Sequence, residues 1–315
     1  MNESSVPSVF IGASPEAAHS VTVTWVLVIG ATLLFVLVMG LLAAALWRRR
    51  RGPGSASNGR GWLLAGLALP AVLLPVLAAW LVMNRAQVDP QHDARALVVS
   101  ITARSWWWEV RYDNGGGAGE QAVLYTANEI HLPAGRPVTL SLTSADVIHS
   151  FWVPALGGKV DMLPGRVLHL RLRTVEAGRY RGQCAEFCGE QHARMALQVV
   201  VHEGDGFDRW KAQQSQPAQA PSTPLAQQGW QEFQQRRCGA CHEVRGLGPS
   251  SRLGPDLTHV GSRSAIGAGT LRNDEQALRD WVTDVQRHKP GARMPSAPPG
   301  DPGTAALAHF LSQLQ

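Results

Sequence analysis

The sequence predicts a multidomain chain: an N-terminal two-helix transmembrane hairpin, an all-β domain and a C-terminal all-α domain. Three observations predict it. Two long uncharged apolar runs lie before residue 84, the middle of the chain alternates β-branched and polar residues between turn signals, and the end returns to helical spacing. At 315 residues the chain is long enough for two or three such domains.

The hairpin occupies residues 1–90. Its first run, about 21–47, reads VTVTWVLVIGATLLFVLVMGLLAAALW, 27 residues without a charge, more than the roughly 20 that cross a hydrocarbon core as a helix. The run is too long for a signal-peptide core, lacks a basic leader and is followed by an arginine cluster, so a cleaved signal is the weaker reading. A second uncharged run covers about 62–83, with Pro70 and Pro75 tolerated as bends. Between them RRRRGPGSASNGRG holds five arginines and no acid, whereas the first twenty residues hold two glutamates and no Lys or Arg. The loop is therefore expected in the cytoplasm, with both termini and everything after Asn84 on the outer side of a bacterial cell membrane, in contact with lipid. No Asp or Glu lies between Glu16 and Asp89, so neither span is expected to offer a carboxylate to a proton path.

Residues 91–210 form the β domain. The segments ALVVSITA, AVLYTA, PVTLSLTS, VLHLRLR and MALQVVVH are short and alternating, separated by DNGGGAG, LPAGRP and EAGRY, which predicts a sandwich or small barrel. Residues 211–224, rich in Gln, Pro, Ala and Ser, read as a flexible linker. Residues 225–315 are helical. NDEQALRDWVTDV places Leu278, Trp281, Val282 and Val285 on one face behind Asn273 as N-cap, and DPGTAALAHFLSQL places Leu307, Phe310, Leu311 and Leu314 likewise behind Asp301 and Pro302 at N1.

Composition excludes some functions. The net charge of +5 would suggest nucleic acid if it were clustered on a soluble domain. It is not: residues 89–210 hold twelve basic and fourteen acidic residues, and residues 225–315 hold ten and eight. The excess sits at the membrane boundary. The four cysteines fall in two close pairs, which implies cofactor or metal sites and no disulfide framework.

The second pair lies in CGACH, the C-x-x-C-H pattern by which Cys238 and Cys241 add to haem vinyl groups while His242 ligates iron, although zinc and redox sites share the spacing. A sixth ligand must come from elsewhere, and Met294 in ARMPSAPP is the only methionine after Met195. His259, His288 and His309 are alternatives, each read as an ordinary surface or core histidine. With Trp230 and Phe233 before it, GPDL at 254–257, RMP and a closing amphipathic helix, this segment resembles a small class I cytochrome c. The resemblance implies covalent haem c and a backbone partner for His242 near Pro255.

The first pair lies in QCAEFCGEQHARM. Thiolates, an imidazole and a thioether favour copper over calcium or magnesium, and the methionine argues against zinc. A single blue-copper site would need only one cysteine, whereas Cys184 and Cys188 four residues apart can bridge two metals, with His192 on the loop and a second histidine from elsewhere. His149, in TSADVIHSFWVP after a strand, is the candidate.

Together, DVIHSFWVPALGGKVDMLPGR and the C-x-x-x-C-x-x-x-H-x-x-M loop resemble subunit II of haem-copper cytochrome oxidases. The resemblance implies a cupredoxin-like fold and a dinuclear CuA centre. By it, Cys184 and Cys188 bridge both coppers, His149 and Met195 complete one, and His192 and the backbone carbonyl of Glu186 complete the other. The Glu186 side chain would reach a magnesium ion at the boundary with subunit I. Trp106, in SWWWEVRY, would receive electrons, and period two would put it on one face with Trp108. Asp161 and Arg166 would face subunit I. The chain departs from the family at the start of the second span, where GWLLAGLALP lacks the glutamate that many members carry at a proton pathway.

The fusion of the two redox modules resembles caa3-type oxidases. It implies electron flow from an upstream donor, cytochrome c or another, to haem c, to CuA and on to subunit I, where oxygen is reduced to water; subunit III is a further expected partner. A linker of about 14 flexible residues spans roughly 20 Å, which implies a local concentration on the order of millimolar. The rival readings are a CuA-bearing subunit of a nitric oxide reductase and a copper-storage or metallochaperone protein.

Overall fold

The computed structural model of the chain describes residues 8–50, 59–85, 96–113, 123–172, 175–298 and 300–315. The turn DNGGGAG beyond Asp113 and the centre of the arginine-rich loop lie outside them. The chain forms two compact units, Ala18–His92 and the remainder.

The first unit holds two long helices, α1 (Pro15–Arg50) and α2 (Gly59–Arg85). Their apolar side chains stand exposed, Leu33, Phe35, Val72 and Val82 among them. A helix apolar on all sides and unburied by its own chain is a candidate membrane span by length and composition. Pro70 and Pro75 sit inside α2 as expected. Both helices run past the predicted runs, and α1 takes Glu16 into its first turn. The stretch free of carboxylates thus begins one turn inside the helix.

The β domain is a sandwich of two five-stranded sheets. One is ordered β3 (Leu124–Ala127), β2 (Trp107–Tyr112), β1 (Leu97–Arg104), β5 (Val138–Ser144), β8 (Leu168–Leu172). The other is ordered β4 (Glu129–Pro133), β10 (Ala196–His202), β9 (Gly178–Cys184), β6 (His149–Trp152), β7 (Val160–Met162). The β1–β5 and β4–β10 pairs are parallel and the rest antiparallel. Alternation drives the packing: Val99, Ile101 and Ala103 of β1, Trp108, Val110 and Tyr112 of β2, and Val138, Leu140 and Leu142 of β5 point into one core with Phe151 and Leu156. Strand β4 is buried along its whole length because its outer face is also covered. Ring stacking of His131 on Trp210, 4.0 Å between centroids, supplies part of that cover.

Trp210 belongs to α3 (Gly206–Gln214), and here the structure corrects the expected linker. The helix continues to Gln214, whose carbonyl and that of Ser215 accept hydrogen bonds from Arg245. The Ala218 amide donates to the Arg245 carbonyl at 2.9 Å. Residues 211–218 are thus bound to the helical domain, so the random-coil span does not describe them.

That domain consists of α4 (Pro224–Gln235), a two-residue hairpin of β11 (Ala265–Ile266) and β12 (Leu271–Arg272), α5 (Glu275–Thr283), α6 (Val285–His288) and α7 (Gly303–Ser312). Its core joins Phe233, Leu278, Val282, Leu307, Phe310, Leu311 and Leu314. The N-cap of α5 is Asp274, one residue after the predicted Asn273: its carboxylate accepts from the Ala277 amide, while the Asn273 side chain donates to the Val260 and Arg263 carbonyls. Helix α7 starts at Gly303, one residue later than Pro302 at N1 implies, and Asp301 accepts from the Gly303 amide.

Candidate metal centre

The hairpin end of the second sheet builds the centre. Cys184 is the last residue of β9, His149 the first of β6, and Met195 directly precedes β10. The Cys184 amide donates to the Met195 carbonyl at 2.9 Å and the Ala185 amide to the Ser150 carbonyl at 2.9 Å, so the loop between β9 and β10 is closed at its base onto β6. This brings together residues separated by 35 positions.

At the centre stand the two free thiols, with Sγ atoms 3.7 Å apart. Around Cys184 Sγ lie His149 Nδ1 at 3.8 Å and the Glu186 carbonyl oxygen at 3.2 Å. Around Cys188 Sγ lie His192 Nδ1 at 3.6 Å and Met195 Sδ at 3.9 Å. All six positions singled out in the sequence for copper therefore supply donors to one cluster. His149 and Met195 are fully buried and the two cysteines nearly so. The His149, Cys184 and Cys188 donor atoms all fall within 4.8 Å of one another.

Electrostatics favour an anionic sulfur pair. The hydrogen bond between the two sulfurs holds Cys184 well below the usual thiol range and pushes Cys188 above it, which favours a thiolate at Cys184. Burial alone would depress the His149 imidazole, but Cys184 and Asp146 outweigh it and raise it. Asp146 was not singled out in the sequence. Its carboxylate accepts from His149 Nε2 at 2.8 Å and from the Ser105 amide and hydroxyl at 2.7 and 2.8 Å. Since a carboxylate only accepts, Nε2 carries the proton that Asp146 holds, and the ring turns Nδ1 toward the sulfurs. An acid three residues before a candidate ligand, in ADVIH, was the available signal.

Trp106 lies in the turn before β2 and packs half-buried against the edge of the core that holds Trp108, so strand alternation does not set its direction. Instead its indole Nε1 donates to the Cys188 carbonyl at 2.8 Å, and its ring covers Gly189. Gly189 has φ +110, and a Cβ there would stand 3.2 Å from the indole, so both backbone and space require glycine. The Glu186 side chain points away from the sulfurs, 3.8 Å from Lys159, which also pairs with Asp161 at 2.8 Å. Arg166 is exposed.

In the helical domain CGACH forms a 3-10 turn after α4, with Cys238 half-buried and Cys241 exposed. His242 Nδ1 donates to the Pro255 carbonyl at 2.7 Å, which leaves Nε2 as the free ligand atom. Burial lowers this imidazole, keeping it neutral. Gly254 packs on the ring face: a Cβ there would lie 2.6 Å from His242 Cε1. Met294 packs against the core of this domain. The alternative histidines are engaged elsewhere, His259 with the Gln216 carbonyl, His309 with Glu275, and His288 stacked on Trp281.

The family model described as cytochrome C oxidase subunit II, periplasmic domain, matches residues 116–202, and the model for cytochrome c matches residues 226–315. The cytochrome c oxidase subunit 2 of Alkalihalophilus pseudofirmus is 32% identical over 92% of this chain and 85% of the relative. That of Bacillus sp. strain PS3 is 30% identical over 79% of this chain and 73% of the relative. Among solved structures, the periplasmic domain of subunit II of cytochrome oxidase from Bradyrhizobium japonicum is 29% identical, covers 39% of this chain and 94% of that one, and gives a TM-score of 0.35.

Proposed function

Starting from the membership of this chain in the cytochrome c oxidase subunit II family, with a cytochrome c domain joined to its C-terminal end, we propose that it is the electron-input subunit of a caa3-type oxidase. The observation that carries the proposal is the buried sulfur pair ringed by four further donors. Two sulfurs with four further donor atoms around them fit a pair of copper ions, which Cys184 and Cys188 would hold in common. His149 and Met195 would complete one ion, and His192 with the Glu186 carbonyl the other, so that each ion takes one terminal donor from beside each sulfur. Such a pair supplies one-electron storage with little bond rearrangement. Cys238 and Cys241 would hold a covalent haem, with His242 and Met294 as its ligands, and this group would supply the second store.

The protein's own residues do the rest. Asp146 holds the His149 tautomer and ring orientation, and Pro255 does so for His242. The strand ends and Trp106 fix the loop and exclude water from the sulfurs, leaving no open position for a substrate. The reaction site belongs on a partner subunit. We assign to that contact the exposed Asp161 and Arg166 and the half-buried Glu186. Glu186 would offer one carboxylate to a magnesium ion there once Lys159 turned away, and the partner would have to complete that site. The helices anchor the chain with both redox domains on the outer face of the membrane. Subunit III and a soluble or membrane-bound donor complete the proposed set of partners.

Oxygen against nitric oxide consumption by the purified complex tests the terminal reaction. Turnover of oxygen supports the oxidase, and turnover of nitric oxide alone would replace it with a nitric oxide reductase.

A further inference from the structure

The two redox domains meet on a defined surface. The loop carrying Lys289, Pro290 and Gly291 of the helical domain lies against the loop that holds Cys188 and His192. Gln191 Nε2 donates to the Pro290 carbonyl at 2.7 Å and Arg194 donates to the His288 carbonyl at 2.6 Å. At Gly291, with φ +77, an added Cβ would stand 2.7 Å from Glu190 Oε2 and 3.6 Å from the far carbon of the Trp106 ring. Across the same surface the Ala196 amide donates to the Ala268 carbonyl at 3.0 Å. A second patch joins the Ser264 amide and hydroxyl to the Glu129 carboxylate.

Lys289 is 4% exposed, at the centre of this contact. Its Nζ donates to the carbonyls of Trp106 at 2.6 Å, Arg194 at 2.9 Å and Gly267 at 3.1 Å. Two of these acceptors belong to the copper-loop side and one to its own domain. An ammonium has three N–H bonds and meets three acceptors, with no carboxylate in ion-pair range among the described residues. Burial pulls it down to about 7, with Cys188 acting upward and Arg194 further downward, and the three carbonyls give the buried amine its hydrogen-bond partners. A buried lysine that bonds only backbone atoms reads position: the three carbonyls fix the register of one domain on the other.

We propose that Lys289 is the positioning residue that seats the haem-bearing domain on the copper loop. In the seated state the chain's own second domain covers the Trp106 ring, the surface from which electrons would reach the sulfur pair. It rests on the function proposed above. External donors then meet the haem domain first, since Trp106 is half-buried beneath it.

The test is Lys289→Met in the full chain within its purified complex. Methionine fills similar volume and leaves the Trp106 and Arg194 carbonyls without this donor. Loss of one charge-assisted hydrogen bond is worth about tenfold or more in an equilibrium. Hydrogen exchange of the Ala196 and Ser264 amides reads seating without reference to any cofactor, and flash reduction of haem reads electron transfer to copper. The expected result is at least about tenfold faster exchange at both amides and slower haem-to-copper transfer, with haem and copper spectra unchanged. Unchanged exchange overturns the proposal, and so does faster exchange with unaltered transfer. If Lys289→Met does not assemble, Arg194→Ala removes the neighbouring cross-surface donor. It is expected to speed the same exchange, and unchanged exchange there also overturns the proposal. Absence of copper from the unmodified chain would sink the functional reading alone, because amide exchange still reports the seating.

Discussion

Asp146→Asn is expected to weaken copper binding about tenfold. The Asp146 carboxylate accepts from four donors: His149 Nε2, the Ser105 amide and hydroxyl, and the Val147 amide at 2.8 Å. Asparagine keeps one oxygen for two of them and turns an NH2 group on the others, so it cannot satisfy His149 and Ser105 together. The loss is one charge-assisted hydrogen bond, about 1.5–3 kcal/mol when buried. The side chain of Asp146 is 28% exposed, so water replaces part of it and the low end applies. That end corresponds to about tenfold, within the range of about 10–100-fold typical for partners of metal-bound histidines. Competition titration of the metal-free chain with a copper chelator measures it, with haem absorbance as the check on folding. Affinity equal to the unmodified chain within about twofold would refute the role given to Asp146.

Two further outcomes follow from the geometry. Gly254→Ala is expected to lower haem retention and cost about 1–3 kcal/mol, because its Cβ would press on a ring already fixed by the Pro255 carbonyl; covalent haem per chain and the urea midpoint check it. The second concerns pH. Burial and the neighbouring His131 charge hold His202 down to about 4 from 6.5, so the unfolded chain takes up a proton below pH 6.5 that the folded one refuses until about 4. Stability is therefore expected to fall as pH drops through that window. At Glu129, burial acts upward but His131 and Ser264 outweigh it, giving about 2 against 4.5, so its contribution is present above pH 4.5 and fades below it. Melting temperatures across this range check both, and His202→Gln is expected to flatten the upper part.

The candidate loop stood out because its chemistry is local: four residues able to ligate a metal fall within twelve positions. His149 was legible through its context at a strand end. Asp146 and Lys289 were not, since one acid or lysine in a loop looks like a solvated charge until the fold supplies its partners. Alternation located the segments that form β1, β3, β5, β8 and β10. It failed at Trp106, which precedes its strand and answers to the Cys188 carbonyl. Composition marked 211–224 as a tether, yet tertiary contacts to Arg245 and His259 bind its first half. A polar segment does not announce which hydrogen bonds a neighbouring domain will offer it.

The whole account turns on whether sulfur from two loop cysteines holds a copper pair wired to haem on the same chain. Copper and iron content of the purified complex, measured with and without Cys184→Ser and alongside its electron-spin spectrum, tests this most directly. The account predicts that the substitution removes a copper pair and its shared-valence signal while covalent haem at Cys238 and Cys241 stays. Undiminished copper with an unaltered signal would contradict it.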